Sequence, residues 1–210
     1  MVKTKSKKED QILKISLALA QEEEWSGVTI NKISEKAGIE ENKLLESFPT
    51  TKHVVLALIR QNSAEVSQSL DPEDSSEPTK DIILHALMCR IEILSRNRDA
   101  YSSIFRSLFF NPRDSMFLYP EIMAIMESTL ECAGVSKTPL LGTLRKKALA
   151  AIYLSALRIW MFDDSPGSAK TMSFLDKRLR DAEAIEGFVQ KFQWVERIFR
   201  DRKSTRLNSS

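Results

Sequence analysis

The sequence predicts an all-α protein of nine to ten helices, with three short helices in front and a larger helical bundle behind. Three observations predict it. Only 6 glycines and 7 prolines punctuate 210 residues, which is thin for the turns that many strands require. Strong helix formers are plentiful throughout. Apolar residues recur at helical spacing, and no segment alternates with the two-residue period of a half-buried strand.

The elements follow in order. Residues 9–24 space Ile12, Leu13, Ile15, Leu17 and Leu19 as one helix, broken at Trp25-Ser26-Gly27. Thr29 is a good N-cap for a short helix to Ala37, and Gly38 is a good stop. A third helix runs from about 40 to 48, where Pro49 ends it, and Thr50 or Thr51 caps a fourth through about 70. The acidic, proline-flanked stretch 71–79 is the clearest loop. Longer helices follow at about 80–96, 98–110, 115–133, 143–163, 168–185 and 187–200. The domains expected are 1–50, 51–202, and a non-native tail at 203–210 without periodicity.

Composition narrows the function classes. The apolar share is 42% and the charged share 29%, those of an ordinary globular protein. Cys89 and Cys132 make no disulfide framework and read as buried free thiols in a reducing cytoplasm. No run is apolar enough to span a membrane, and no secretory signal opens the chain. His53 and His85 are the only histidines, and no nucleophile triad, phosphate loop or paired-carboxylate pattern accompanies them. His85 and Cys89, four apart, are two ligands at most and read as a buried pair rather than a metal site. No enzyme, metal or cofactor is expected.

The front helices have the parts of a helix-turn-helix. Ile30, Ile33 and Ala37 bury the first helix, Gly38 permits the turn, and Leu44, Leu45 and Phe48 form the core face of the second. Ile12-Leu13, Trp25, Val28-Thr29, Ile33-Ser34, Ala37-Gly38-Ile39, Leu44 and Phe48 together resemble the N-terminal domain of TetR-type regulators. The back half, with Trp160, Asp163-Asp164-Ser165-Pro166, Thr171-Met172 and Leu175-Asp176, resembles the C-terminal part of one TetR-like group. It is also similar to a lipid-binding accessory family of ubiquinone biosynthesis, which shares that fold and does not act on DNA.

The resemblance implies a ligand-responsive, homodimeric DNA-binding regulator, read as a repressor of an operator in double-stranded DNA. The alternative is a lipid- or isoprenoid-binding accessory protein. Phosphate contacts would fall to Thr29, Lys43, Ser47, Lys52 and a basic arm of Lys3, Lys5, Lys7 and Lys8. Base reading would fall to Glu41, Asn42, Lys43 and Glu46. Departures weaken the DNA reading: Leu45 stands where Tyr is usual, Glu40 where Ser is usual, and Thr51 where Lys is common. Between 29 and 48, three lysines face four glutamates, a poor balance for docking a polyanion.

In the back half, Leu87, Met88, Ile91, Phe105, Phe109, Met123 and Met126 make adaptable walls for a small apolar ligand. The absence of charge within these stripes points to a greasy molecule. Ala148, Ala151, Ile152, Ser155 and Ile159, then Met172, Leu175 and Leu179, form the helix faces at which TetR-like subunits pair. The last helix, with Phe188, Phe192, Val195 and Phe199 on one stripe, reads as docked on its own protein, with membrane contact as the lesser alternative.

Overall fold

Helix N- and C-terminal signals set the element borders. The computed structural model describes residues 2–69, 77–135 and 139–185, with side chains from Lys8 onward and, in the last segment, from Leu141 onward. Among the described residues the fold is entirely helical: α1 (Val2–Glu22), α2 (Ile30–Ala37), α3 (Glu41–Ser47), α4 (Thr51–Ser69), α5 (Thr79–Ser95), α6 (Arg98–Phe110), α7 (Pro112–Cys132), α8 (Pro139–Trp160) and α9 (169–185). Residue 70, residues 71–76 of the expected loop and the helix expected at 187–200 lie outside the described residues.

Thr29 caps α2 as expected, its Oγ1 accepting from the Lys32 N–H at 3.2 Å. Gly38 then turns left-handed at φ +64°. Its N–H donates to the Glu35 carbonyl and the Ile39 N–H to the Ser34 carbonyl, the paired closing bonds of a Schellman turn. That geometry swings the chain directly into α3. Helix α7 starts three residues earlier than the periodicity indicated, because Pro112 fits a first-turn position that needs no N–H donor. Pro120 lies inside α7, where its ring removes one intrahelical bond.

The expected basic arm is not an arm: α1 is already helical from Val2, so those lysines belong to its first turns. The N-terminal helices rest on the bundle. Trp25 is buried and its N–H donates to Ser103 Oγ of α6 at 2.8 Å. One hydrophobic cluster runs from Ile12 through Leu44, Leu58, Leu87 and Met126 to Leu179. Three expectations of burial fail. Leu45 points outward at 36% exposure, because Leu44 and Phe48 already fill the inner face of α3. Cys132 and His85 are exposed and Cys89 is half-buried, so neither two buried thiols nor a buried His85–Cys89 pair exists.

α8 and α9 meet at a polar knot. Asp163 is buried and its two carboxylate oxygens accept from the N–H and hydroxyl of both Ser165 and Thr171. Burial raises its pKa, but these four bonds outweigh burial and hold the carboxyl well below the usual carboxylate range. Arg98 closes the turn by donating to the Trp160 and Asp163 carbonyls at 2.8 and 2.7 Å. The buried Trp160 indole donates to Ser95 Oγ at 3.0 Å.

Candidate functional site

Two regions carry chemistry: the outer face of α2–α3 and a cavity in the bundle. On α3, Glu41, Asn42, Lys43, Glu46 and Ser47 are all exposed, as is Thr29. Their charges are largely spoken for. Lys43 pairs with Glu40 at 2.7 Å, a hydrogen bond that lowers the Glu40 pKa and raises that of Lys43. Asn31 donates to Glu41 at 3.1 Å. Lys32 pairs with Glu23 at 2.7 Å and Lys36 pairs with Glu22, both carboxylates from the end of α1. Lys52 meets Asp114 of α7 at 2.5 Å. Every lysine between 29 and 52 therefore has a carboxylate partner. Lys8 is exposed, while the side chains of Lys3, Lys5 and Lys7 lie outside what the structure describes.

The cavity, about 690 Å³, opens among α4, α5, α6, α7 and α8. That volume is within the range of small-molecule sites. Ile104, Leu58 and Leu118 are fully buried in its depth, while Met116, Tyr119, Ala151, Ser155 and Arg158 are exposed around it. Phe105, Phe109 and Met123 lie on its wall. Leu87, Ile91 and Met126 do not: they are buried in the core behind it, and the half-buried Met88 packs against that core.

The wall also corrects the expectation of a charge-free site. Arg90, 6% exposed, lines the cavity beside Ser63, whose Oγ accepts from its Nη1 at 3.2 Å. Arg90 Nε is buried with no hydrogen-bond partner. Burial lowers the Arg90 pKa from its ordinary value, against an opposing pull from Tyr153. Burial likewise pushes the Tyr153 phenol up to about 12, with Arg90 acting the other way, so that hydroxyl is a donor at neutral pH. Asn62 donates to the Tyr101 hydroxyl at 3.0 Å on the same wall. At the opening, the Arg158 guanidinium covers the Phe109 ring at 4.6 Å. A signal for Arg90 exists in the sequence: it falls three after Leu87 and four before Leu94, on the stripe that faces inward.

The cavity is tied to the front helices through α4, which begins four residues after α3 ends. Besides Lys52–Asp114, Arg60 bonds Glu121 at 2.9 Å, and the His53 ring meets Phe117 edge-on at 5.0 Å. On α8, Ala148, Ala151 and Ser155 are exposed, and Ile152 and Ile159 are half-buried. Met172 is exposed on α9, whereas Leu175 and Leu179 are buried within the protomer and offer nothing to a partner. Among the described residues no helix is long and apolar enough to cross a membrane, and no three metal-ligating side chains converge.

Comparison with solved structures places this architecture. A TetR transcriptional regulator from Nitrosomonas europaea superposes with a TM-score of 0.68 at 18% identity, covering 83% of this chain and 97% of its own. A TetR regulator from Rhodococcus sp. RHA1 gives 0.62 at 14% identity, covering 84% and 96%. The fold is that of TetR-family regulators. Thermus thermophilus FadR, a TetR-family repressor solved with lauroyl-CoA, shares the TetR fold at a TM-score of 0.58 and 18% identity, covering 82% and 91%. The COQ9 family model matches residues 145–186, the segment holding the Asp163 knot of this TetR fold. No curated protein sequence matches.

Proposed function

We propose that this chain is a ligand-responsive DNA-binding transcriptional regulator, acting as a homodimer in the cytoplasm and carrying no enzymatic activity. The observation that carries the reading is the α4 linkage. One helix forms a cavity wall through Leu58, Asn62 and Ser63, and its first residues adjoin the turn that ends α3. A molecule that fills the cavity better in one arrangement of α4 and α7 biases the position of α3 by its difference in affinity. The open face of Ala148, Ala151 and Ser155 lets a second copy of α8 approach closely. Thr29, Asn42, Lys43, Ser47, Lys52 and the α1 lysines would meet the operator, with Glu41 and Glu46 at base edges. The alliance of Lys32, Lys36 and Lys43 with carboxylates is no bar, since exposed ion pairs are each worth only about 0–1 kcal/mol.

The test is retardation of the DNA upstream of the chain's own gene at two salt concentrations. Selective retardation that weakens with salt is the expected result. A second reading has an observation of its own. The COQ9 match at 145–186 and the carboxylate-rich α3 favour a lipid-binding protein without an operator. Absence of retardation, with lipid found by mass spectrometry in the purified protein, would establish that reading instead.

A further inference from the structure

An arginine nine-tenths buried in an apolar cavity normally has a carboxylate beside it, because a guanidinium out of water is costly unless paired. Arg90 has none. Among the described residues its hydrogen bond is to Ser63 Oγ through Nη1, and its Nε–H is unsatisfied. With Nη1 on Ser63 and Nε closed off from water-sized contact, Nη2 is the end of the guanidinium left to meet a charged acceptor from the cavity. Tyr153 on α8 stands near it as a further protonated donor. Away from this corner the walls are apolar: Ile104, Phe105, Leu108, Leu118 and Met123.

We propose that the cavity binds a long-chain carboxylate, its head on the Arg90 guanidinium and its chain along the α6–α7 wall. The inference rests on the cavity being a ligand site, as in the regulator reading, and sharpens it to one chemical class. The ligand supplies the charge the fold omits. An alcohol of equal length has the same chain to bury and no charge to give Arg90, and an amine brings the wrong sign.

The experiment titrates laurate, dodecanol and dodecylamine into the intact protein by calorimetry. Laurate should bind at least tenfold more tightly than dodecanol, and dodecylamine more weakly than either. Arg90→Met removes the charge at similar bulk and should bring laurate down to the affinity of dodecanol, while leaving dodecanol unchanged. It should also raise the melting temperature of the ligand-free protein, which a residue serving only the fold would not do. Arg90→Lys keeps the charge but not the guanidinium, so it should retain part of the laurate preference. Equal affinity for laurate and dodecanol in the unaltered protein, or no binding of either, overturns the proposal whether or not Arg90→Met folds. DNA retardation without ligand is scored separately. Laurate selectivity without retardation sinks the regulator reading alone, and retardation without laurate selectivity sinks the carboxylate alone.

Discussion

Asp163 gathers four donors on two oxygens while almost wholly out of water. It ties Trp160, Asp163, Ser165 and Thr171 together as members of the one joint that starts α9. Hydrogen bonds to a charged acceptor contribute about 1.5–3 kcal/mol each in net terms, and their loss strands buried donors. Asp163→Ala should therefore destabilise the fold by about 2–4 kcal/mol, read as a shift in the urea midpoint at constant slope. The pH dependence has a definite sign. The folded pKa is depressed, so the contribution is complete above the unfolded value near ~3.9 and is lost as pH falls below it. The alanine variant should lack that share of the acid sensitivity. Sequence shows the turn at 163–167, but not that Thr171, eight residues on, returns to bond Asp163. Arg90 was similarly hidden: its position on the inward stripe is legible, whereas its want of a partner depends on what α4 and α8 bring opposite.

Among the elements, α2 and α3 decide whether this chain reads DNA. Their borders were legible because Thr29, Gly38 and Pro49 act locally through cap, turn and stop. The pairing of Lys32 and Lys36 with Glu23 and Glu22 was not, since it depends on how α1 ends beside α2. Glu40→Gln takes away the partner of Lys43 and one negative charge. It should strengthen operator binding and steepen the salt dependence by about 0.9 in log–log slope, the signature of one more phosphate neutralised. An unchanged slope in a salt titration would mean Lys43 does not meet the backbone. Gly38→Val forces a β-branched residue to φ +64° and should cost at least about 1–2 kcal/mol in chemical denaturation.

Across the whole molecule, on the proposed regulator reading, the links between α4 and α7 would carry the effect of an occupied cavity to α3. Asp114→Asn weakens the Lys52 contact at the end nearest α3 without touching the cavity wall. Ligand affinity should stay within about twofold, while the coupling between ligand and operator should fall by about 0.5–1 kcal/mol. Titrating operator with and without a bound ligand measures it. The cavity itself was half legible: Phe105, Phe109 and Met123 face it, but Leu87, Ile91 and Met126 share their spacing and chemistry and lie behind the wall. Helical periodicity tells inside from outside, not core from cavity.

The contact of Trp25 with Ser103, set within one unbroken cluster, has a consequence for how the chain comes apart. The reading helices and the cavity walls should melt in a single cooperative transition rather than as head and body in turn. A fragment ending at residue 50 would strip Trp25 of its bundle and should not fold. Amide hydrogens of α2 and α5 would then exchange through the same global opening, and a ligand held in the cavity would slow both alike.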